Sequence, residues 1–182
     1  AAVKGMIGDG AGWLVERGFA ATGGWPGGLE RPREGLTARF LALYGTRLTD
    51  KTRAFPGAAE ALARWRARAI RLGVCTNKAG GPTRRILAAL DLERHFAAVV
   101  GGDETPSPKP DPRHLEAVLK ELGVDSGQAL MVGDSGNDVR AARAAGVAVV
   151  AMSFGYTTTP VAELGADAVF DSFAALEAWI EG

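Results

Sequence analysis

The stretch Ala129-Leu130-Met131-Val132-Gly133-Asp134-Ser135-Gly136-Asn137-Asp138 decides how this chain folds. Four apolar residues in a row read as a buried strand, and Gly133 and Gly136 permit tight backbone turns directly after it. Residues 138–145 then carry a helical pattern that Gly146 stops, and residues 147–152 form a second apolar strand. Strand, loop, helix and strand in that order argue for a parallel sheet.

Working outward, the same alternation holds from about Pro56 to the end. Ala61, Leu62, Trp65 and Ala69 recur at helical spacing and predict a helix over 57–72, with Gly73 as its stop. Residues 73–76 are a short strand, 82–90 a helix and 97–100 a strand. Asp111 is an N-cap followed by Pro112 at the first helical position. Leu115, Val118, Leu119 and Leu122 line one face of that helix, and Gly123 ends it. A strand over 168–170 and a helix over 173–180 complete the pattern. The fold class is α/β: a Rossmann-like parallel sheet with helices on both faces. Residues 1–50 differ. Helices over 11–20 and 34–44 are joined by a flexible loop carrying Gly23, Gly24, Gly27 and Gly28. This segment reads as a small helical cap at the N-terminus, with the α/β core over 51–182.

The chain has 182 residues, of which 47% are hydrophobic and 23% charged, as in a soluble globular protein. Its 21 basic and 21 acidic side chains cancel, which removes the electrostatic argument for nucleic acid or a membrane surface as partner. The longest mostly apolar stretch, 144–156, is too short to span a bilayer, and no signal-peptide pattern is visible. Cys75 is the single cysteine, so no internal disulfide forms; in its apolar run it reads as a small hydrophobe, which suits a reducing cytoplasm.

In an open parallel sheet, ligands bind beyond the carboxyl ends of the strands. Thr76-Asn77-Lys78, Gly101-Gly102-Asp103, residues 133–138 and residues 153–156 all follow strands, and Lys109 lies in a loop before a helix. Asp134 and Asp138, four residues apart on a strand-to-helix loop, can share a hard cation such as Mg²⁺. The plainer reading is that Ser135 or Asn137 caps the helix while both aspartates sit in solvent. Thr76 and Asn77 offer donors suited to phosphoryl oxygens, although a threonine that ends a strand is also ordinary turn chemistry. Lys109, between Pro108 and Pro110, is a positioned charge rather than a wandering one; its alternative is a solvated surface lysine.

The order Thr76-Asn77, Lys109-Pro110-Asp111-Pro112 and Gly133-Asp134-Ser135-Gly136-Asn137-Asp138 resembles the haloacid dehalogenase superfamily, and within it the phosphoglycolate phosphatases. Gly5-Met6-Ile7-Gly8-Asp9-Gly10, Phe55-Pro56-Gly57, Val74-Cys75-Thr76-Asn77-Lys78, Gly101-Gly102-Asp103 and Phe154-Gly155-Tyr156 support the likeness along essentially the whole chain. The resemblance implies a Mg²⁺-dependent phosphatase of a small phosphorylated metabolite, with 2-phosphoglycolate the first choice. It implies that Thr76 and Asn77 hold the phosphoryl group and that Lys109 neutralises charge on nucleophile and phosphoryl oxygens. It implies Asp134 as a direct metal ligand, with Asp138 holding or orienting the metal and its waters. Gly8, Asp9 and Gly10 would face the substrate from the cap.

The chain also departs from the family. The superfamily's first motif, Asp-x-Asp, supplies the nucleophile and the general acid/base, and no Asp-x-Asp occurs here. The expectation is an opening strand lost upstream, one that would lie between the strands ending at Thr76 and Val132. Ala79-Gly80-Gly81 follows Lys78 where the family often has proline, and Trp13 and Trp25 are idiosyncratic. A sugar-phosphate phosphatase or mutase on the same scaffold is the neighbouring reading, and a dehalogenase does not need the Asp134–Asp138 pair. A catalytically dead remnant binding Mg²⁺ or phosphate remains for the literal chain. A receiver-like signalling domain is disfavoured by the cap and by the late position of the acidic pair.

Overall fold

A computed structural model describes residues 6–24 and 33–182, without the side chains of residues 33 and 34. Gly5, Trp25, Gly27 and Gly28 lie outside the described residues. Two helices come first, α1 (Ala11–Ala21) and α2 (Arg33–Gly45), packed on each other. Then follow α3 (Ala58–Ala67), β1 (Gly73–Thr76), α4 (Gly80–Ala89), β2 (Ala98–Gly101), α5 (Pro112–Leu122), β3 (Leu130–Gly133), α6 (Gly136–Ala144), β4 (Ala148–Met152), β5 (Ala168–Phe170) and α7 (Phe173–Glu181).

Every strand pairing is parallel, as the alternation of helices and strands requires. The expected single sheet is resolved into two ladders, β1-β2 and β3-β4-β5, so β1 and β3 are each paired on one side only. No strand of the described residues joins them. A shared helical layer does: α5 packs on β1 and β2, α6 packs on β3 and β4, and the two helices pack on each other. Leu115, Leu119, Met131, Val139 and Val149 form the core beneath that layer, with Cys75 packed against it.

The opposite face is covered by α3 and α7. Ala61, Trp65, Val150, Met152 and Leu176 are buried together there, and Arg64 of α3 forms an ion pair with Glu177 of α7. Leu176 is fully buried at 0% exposure. Truncation to alanine leaves a cavity as well as removing apolar contact, so Leu176→Ala is expected to lower unfolding free energy by about 2–5 kcal/mol in urea denaturation. A loss well under 1 kcal/mol would show that α7 is not part of the cooperative core.

Several boundaries move for identifiable reasons. The first core helix ends at Ala67, not at residue 72, because Ala69 adopts a left-handed backbone with φ of 58°. Ile70 N–H then reaches Trp65 O and Ala69 N–H reaches Arg66 O, closing the helix end with a Schellman pair of hydrogen bonds. Helix α4 starts at Gly80 instead of residue 82, its first N–H donated to Asp103 at 2.8 Å. Helix α6 starts at Gly136 instead of residue 138. Ser135 is its N-cap residue and Asp138 sits in the first turn, accepting from Ser135 N–H at 3.0 Å. Asp111 caps α5 by accepting from Arg113 N–H at 3.0 Å, and Gly123 ends that helix with φ of 63°.

Candidate active site

The loops after β1, β2 and β3, the loop before α5 and the residues preceding α1 converge on one cavity of about 450 Å³. That size suits a small-molecule ligand. Thr76, Asn77, Lys109, Asp134 and Asp138 all line it, as do Gly8, Asp9 and Gly10. Every residue singled out from the sequence for phosphoryl, metal or substrate contact is therefore brought to one place.

Lys109 and Asp138 form its buried floor, at 9% and 5% exposure. The Lys109 ammonium donates to Asp138 Oδ1 at 2.6 Å and to the backbone carbonyl of Cys75 at the edge of β1. Lys109 is thus no solvated surface lysine. Asp138 Oδ2 accepts from Ser135 Oγ at 2.7 Å and from the backbone N–H groups of Ser135 and Asp134 at 3.0 and 3.1 Å. Burial works against the ionised carboxylate, but the Lys109 charge and hydrogen bond, with those from Ser135 and the Asp134 N–H, outweigh it and hold the Asp138 carboxyl below its usual range. Ser135 does cap α6, yet Asp138 is buried rather than solvated, so capping and charge placement share one turn.

Asp134 is differently placed. Its Oδ2 accepts from Tyr156 N–H at 2.7 Å, while its Oδ1 takes no hydrogen bond from the described residues. The loop after β4 approaches so closely that a Cβ on Gly155 would overlap the Asp134 carboxylate. Only a glycine there leaves Asp134 in place. A hard divalent cation fits this donor set in a specific way. Asp134 offers one uncommitted carboxylate oxygen, whereas both oxygens of Asp138 are engaged. Among the described residues no group of three His, Cys, Asp or Glu side chains encloses a metal. One protein carboxylate with waters and substrate oxygens completing the sphere is the habit of Mg²⁺.

The Asn77 side chain does not point a donor into the cavity. Its amide nitrogen donates to Gly8 O at 2.9 Å and to Lys109 O at 2.8 Å, tying the segment before α1 and the Lys109 loop to the end of β1. Its Oδ1 is buried without a hydrogen-bond partner, one of the few such atoms in the described residues. The loop after β2 comes close as well: a Cβ on Gly102 would overlap the backbone carbonyl of Asn77.

Three features have no local signature in the sequence. His114 is fully buried; its Nδ1 accepts from Lys109 N–H at 3.2 Å, and its Nε2 lies 3.2 Å from Val100 O. Burial lowers its pKa, so a neutral ring with the proton on Nε2 satisfies both contacts and fixes the Lys109 backbone. Asp9 bridges outward, accepting from Asn137 Nδ2 at 2.7 Å and from Arg17 at 2.6 Å; those donors hold its carboxyl below the usual range. Tyr44 of α2 meets Lys78 over the cavity, Oη to Nζ at 2.8 Å. Cys75, by contrast, takes no chemical role: burial pushes its thiol up to about 11, so it stays protonated.

A strand-end cavity that joins a buried lysine–aspartate pair, a half-free aspartate and a threonine suits a phosphoryl group, and the relatives of this chain are hydrolases of phosphorylated compounds. Residues 29–152 match the haloacid dehalogenase-like hydrolases, and the chain belongs to that family. A phosphoglycolate phosphatase of Rhodospirillum rubrum is 51% identical over 182 aligned positions, covering 99% of this chain and 76% of that protein. The crystal structure of a predicted phosphoglycolate phosphatase from Haemophilus somnus superposes with a TM-score of 0.89 at 32% identity, covering 98% of this chain and 80% of that one. CbbY from Rhodobacter sphaeroides in complex with phosphate superposes with a TM-score of 0.78 at 27% identity, covering 92% and 75% of the two chains. Family and relatives place this chain among the phosphoric monoester hydrolases. No helix of the described residues is long and apolar enough to cross a membrane.

Proposed function

We propose that this chain carries the phosphoryl- and metal-binding side of a Mg²⁺-dependent phosphatase whose substrate is 2-phosphoglycolate, working in the cytoplasm. The observation that carries the reading is the Lys109 ammonium, pinned between the Cys75 carbonyl and Asp138 on the floor of a cavity that Thr76 and Asp134 also line. The relatives named phosphoglycolate phosphatase support the choice of substrate.

In this reading the Thr76 hydroxyl donates to an oxygen of the phosphoryl group. Lys109 places a fixed positive charge where negative charge gathers during transfer, at no reorganisation cost because Asp138, the Cys75 carbonyl and His114 already hold it. Asp134 would hold Mg²⁺ through its free oxygen, with Asp138 fixing the surrounding turn. Bound there, Mg²⁺ would neutralise phosphoryl oxygens and orient the ester for in-line attack. The phosphoryl group passes from the ester oxygen to an aspartate carboxylate, and the alcohol leaves with a proton from the general acid of the same motif. Water then cleaves the acyl phosphate to inorganic phosphate and the free carboxylate. The reading assigns this nucleophile to an additional strand between β1 and β3, each of which is paired on one side only among the described residues. Residues 1–50 serve as the cap that covers the site, and residues 51–182 as the core.

The test is phosphate release by the full-length protein from a panel of 2-phosphoglycolate, hexose phosphates and a simple aryl phosphate in saturating Mg²⁺. The expected result is the highest kcat/KM on 2-phosphoglycolate. A preference for hexose phosphates would move the assignment to the sugar-phosphate enzymes of the family, and release from none would overturn it.

A further inference from the structure

We propose that Lys78, steadied by Tyr44, binds a carboxylate on the substrate and thereby selects which phosphomonoesters the site accepts. The proposal rests on the phosphatase reading above and assigns the second anionic end of the ligand.

Two lysines line the cavity, Lys78 and Lys109. Lys109 is committed to Asp138 and to the Cys75 carbonyl. Lys78 is half-buried, and its ammonium faces an uncharged partner: it donates to Tyr44 Oη at 2.8 Å and stands 4.7 Å from the centre of the Tyr44 ring. An ammonium has three N–H donors, so two remain for a ligand. Three of the cavity's four carboxylates take hydrogen bonds elsewhere, and the fourth, Asp134, accepts from Tyr156 N–H and keeps the oxygen that the phosphatase reading gives to Mg²⁺. Asp9 is paired with Arg17 and Asn137, Asp103 accepts from Gly80 N–H, and Asp138 is paired with Lys109. A half-buried cation that forms no ion pair among the described residues is a place for an anion supplied by the ligand.

Its position relates that anion to the phosphoryl group. Lys78 lies two residues beyond Thr76 on one turn, with Lys78 N–H donated to Thr76 Oγ1 at 3.2 Å. A ligand whose phosphoryl group sits on Thr76 and Lys109 therefore presents its other end to the Lys78 side of the same cavity. A carboxylate there takes a charge-assisted hydrogen bond from Lys78 and accepts a second from the Tyr44 hydroxyl. Tyr44 belongs to α2 and stacks on Phe40 with ring centroids 5.7 Å apart. The ligand class is a small phosphomonoester bearing a carboxylate.

The experiment compares 2-phosphoglycolate with ethyl phosphate, which replaces the carboxylate by a methyl group. Binding to the full-length protein is measured by calorimetry with Mg²⁺ removed by a chelator, so that no turnover occurs, for the wild type, Lys78→Met, Lys78→Gln, Lys78→Arg and Tyr44→Phe. The wild type is expected to favour 2-phosphoglycolate by about ten- to a hundredfold, the range of one hydrogen bond to a charged group. Lys78→Met and Lys78→Gln are expected to bring the ratio close to one, Lys78→Arg to retain most of it, and Tyr44→Phe to lose part. A wild type that does not discriminate, or a neutral variant that keeps the wild-type ratio, overturns the proposal. Because binding is read without turnover, a wild type that discriminates yet releases no phosphate once Mg²⁺ is restored overturns the phosphatase reading and leaves Lys78 as a carboxylate site.

Discussion

Replacing Lys109 with methionine is expected to cost about 3–5 kcal/mol of folding stability, the range for removing one partner from a buried ion pair. The reason is local. Asp138 is 5% exposed, and its Oδ1 has Lys109 as its charged partner at 2.6 Å. Without it, a carboxylate stays buried with only Ser135 and two backbone N–H groups to hold the other oxygen. The Cys75 carbonyl loses its donor in the same step. Lys109→Met with Asp138→Asn should recover part of the loss, because no net charge remains buried, yet should release no phosphate. Urea denaturation of the single and double variants checks this. A single variant within about 1 kcal/mol of wild type would show that the pair is not buried as described.

Asp134→Asn should do the opposite, sparing the fold and removing the chemistry. An amide oxygen still accepts from Tyr156 N–H, and the shape is unchanged beneath Gly155. The charge offered to a hard cation is gone. We expect stability close to wild type and a fall in phosphate release of about 10²–10³, the cost of deleting one electrostatic element of a transition-state site. Loss of Mg²⁺ dependence should accompany it. Calorimetric Mg²⁺ titration beside the rate assay separates these effects, and unchanged affinity and rate in the variant would remove Asp134 from the metal site.

Particular residues show where sequence reading succeeds and stops. Gly123 and Gly146 end their helices in left-handed backbone, and glycine announces that conformation. Ala69 and Asp91 adopt the same conformation, with φ of 58° and 57°, and carry no such signal, so the helix before β1 was expected to run on. The strand-ending motifs were legible because each is local: turn glycines, a polar residue and an apolar run before it. Their convergence followed from the parallel topology. His114 behind Lys109, Asn137 on Asp9, Tyr44 on Lys78 and the spent amide of Asn77 were not legible. Each joins residues that only the packed chain brings together. The division into two ladders has the same character, since it depends on which strands find partners rather than on any one strand's composition.

Phosphoryl transfer at the Thr76–Lys109–Asp134–Asp138 cavity is expected to depend on Mg²⁺. The direct measurement is phosphate release from 2-phosphoglycolate by the full-length protein as Mg²⁺ is titrated in and then removed with a chelator. A saturable rise is expected, abolished by chelation and restored by added Mg²⁺. A rate that persists unchanged in the chelator would contradict it.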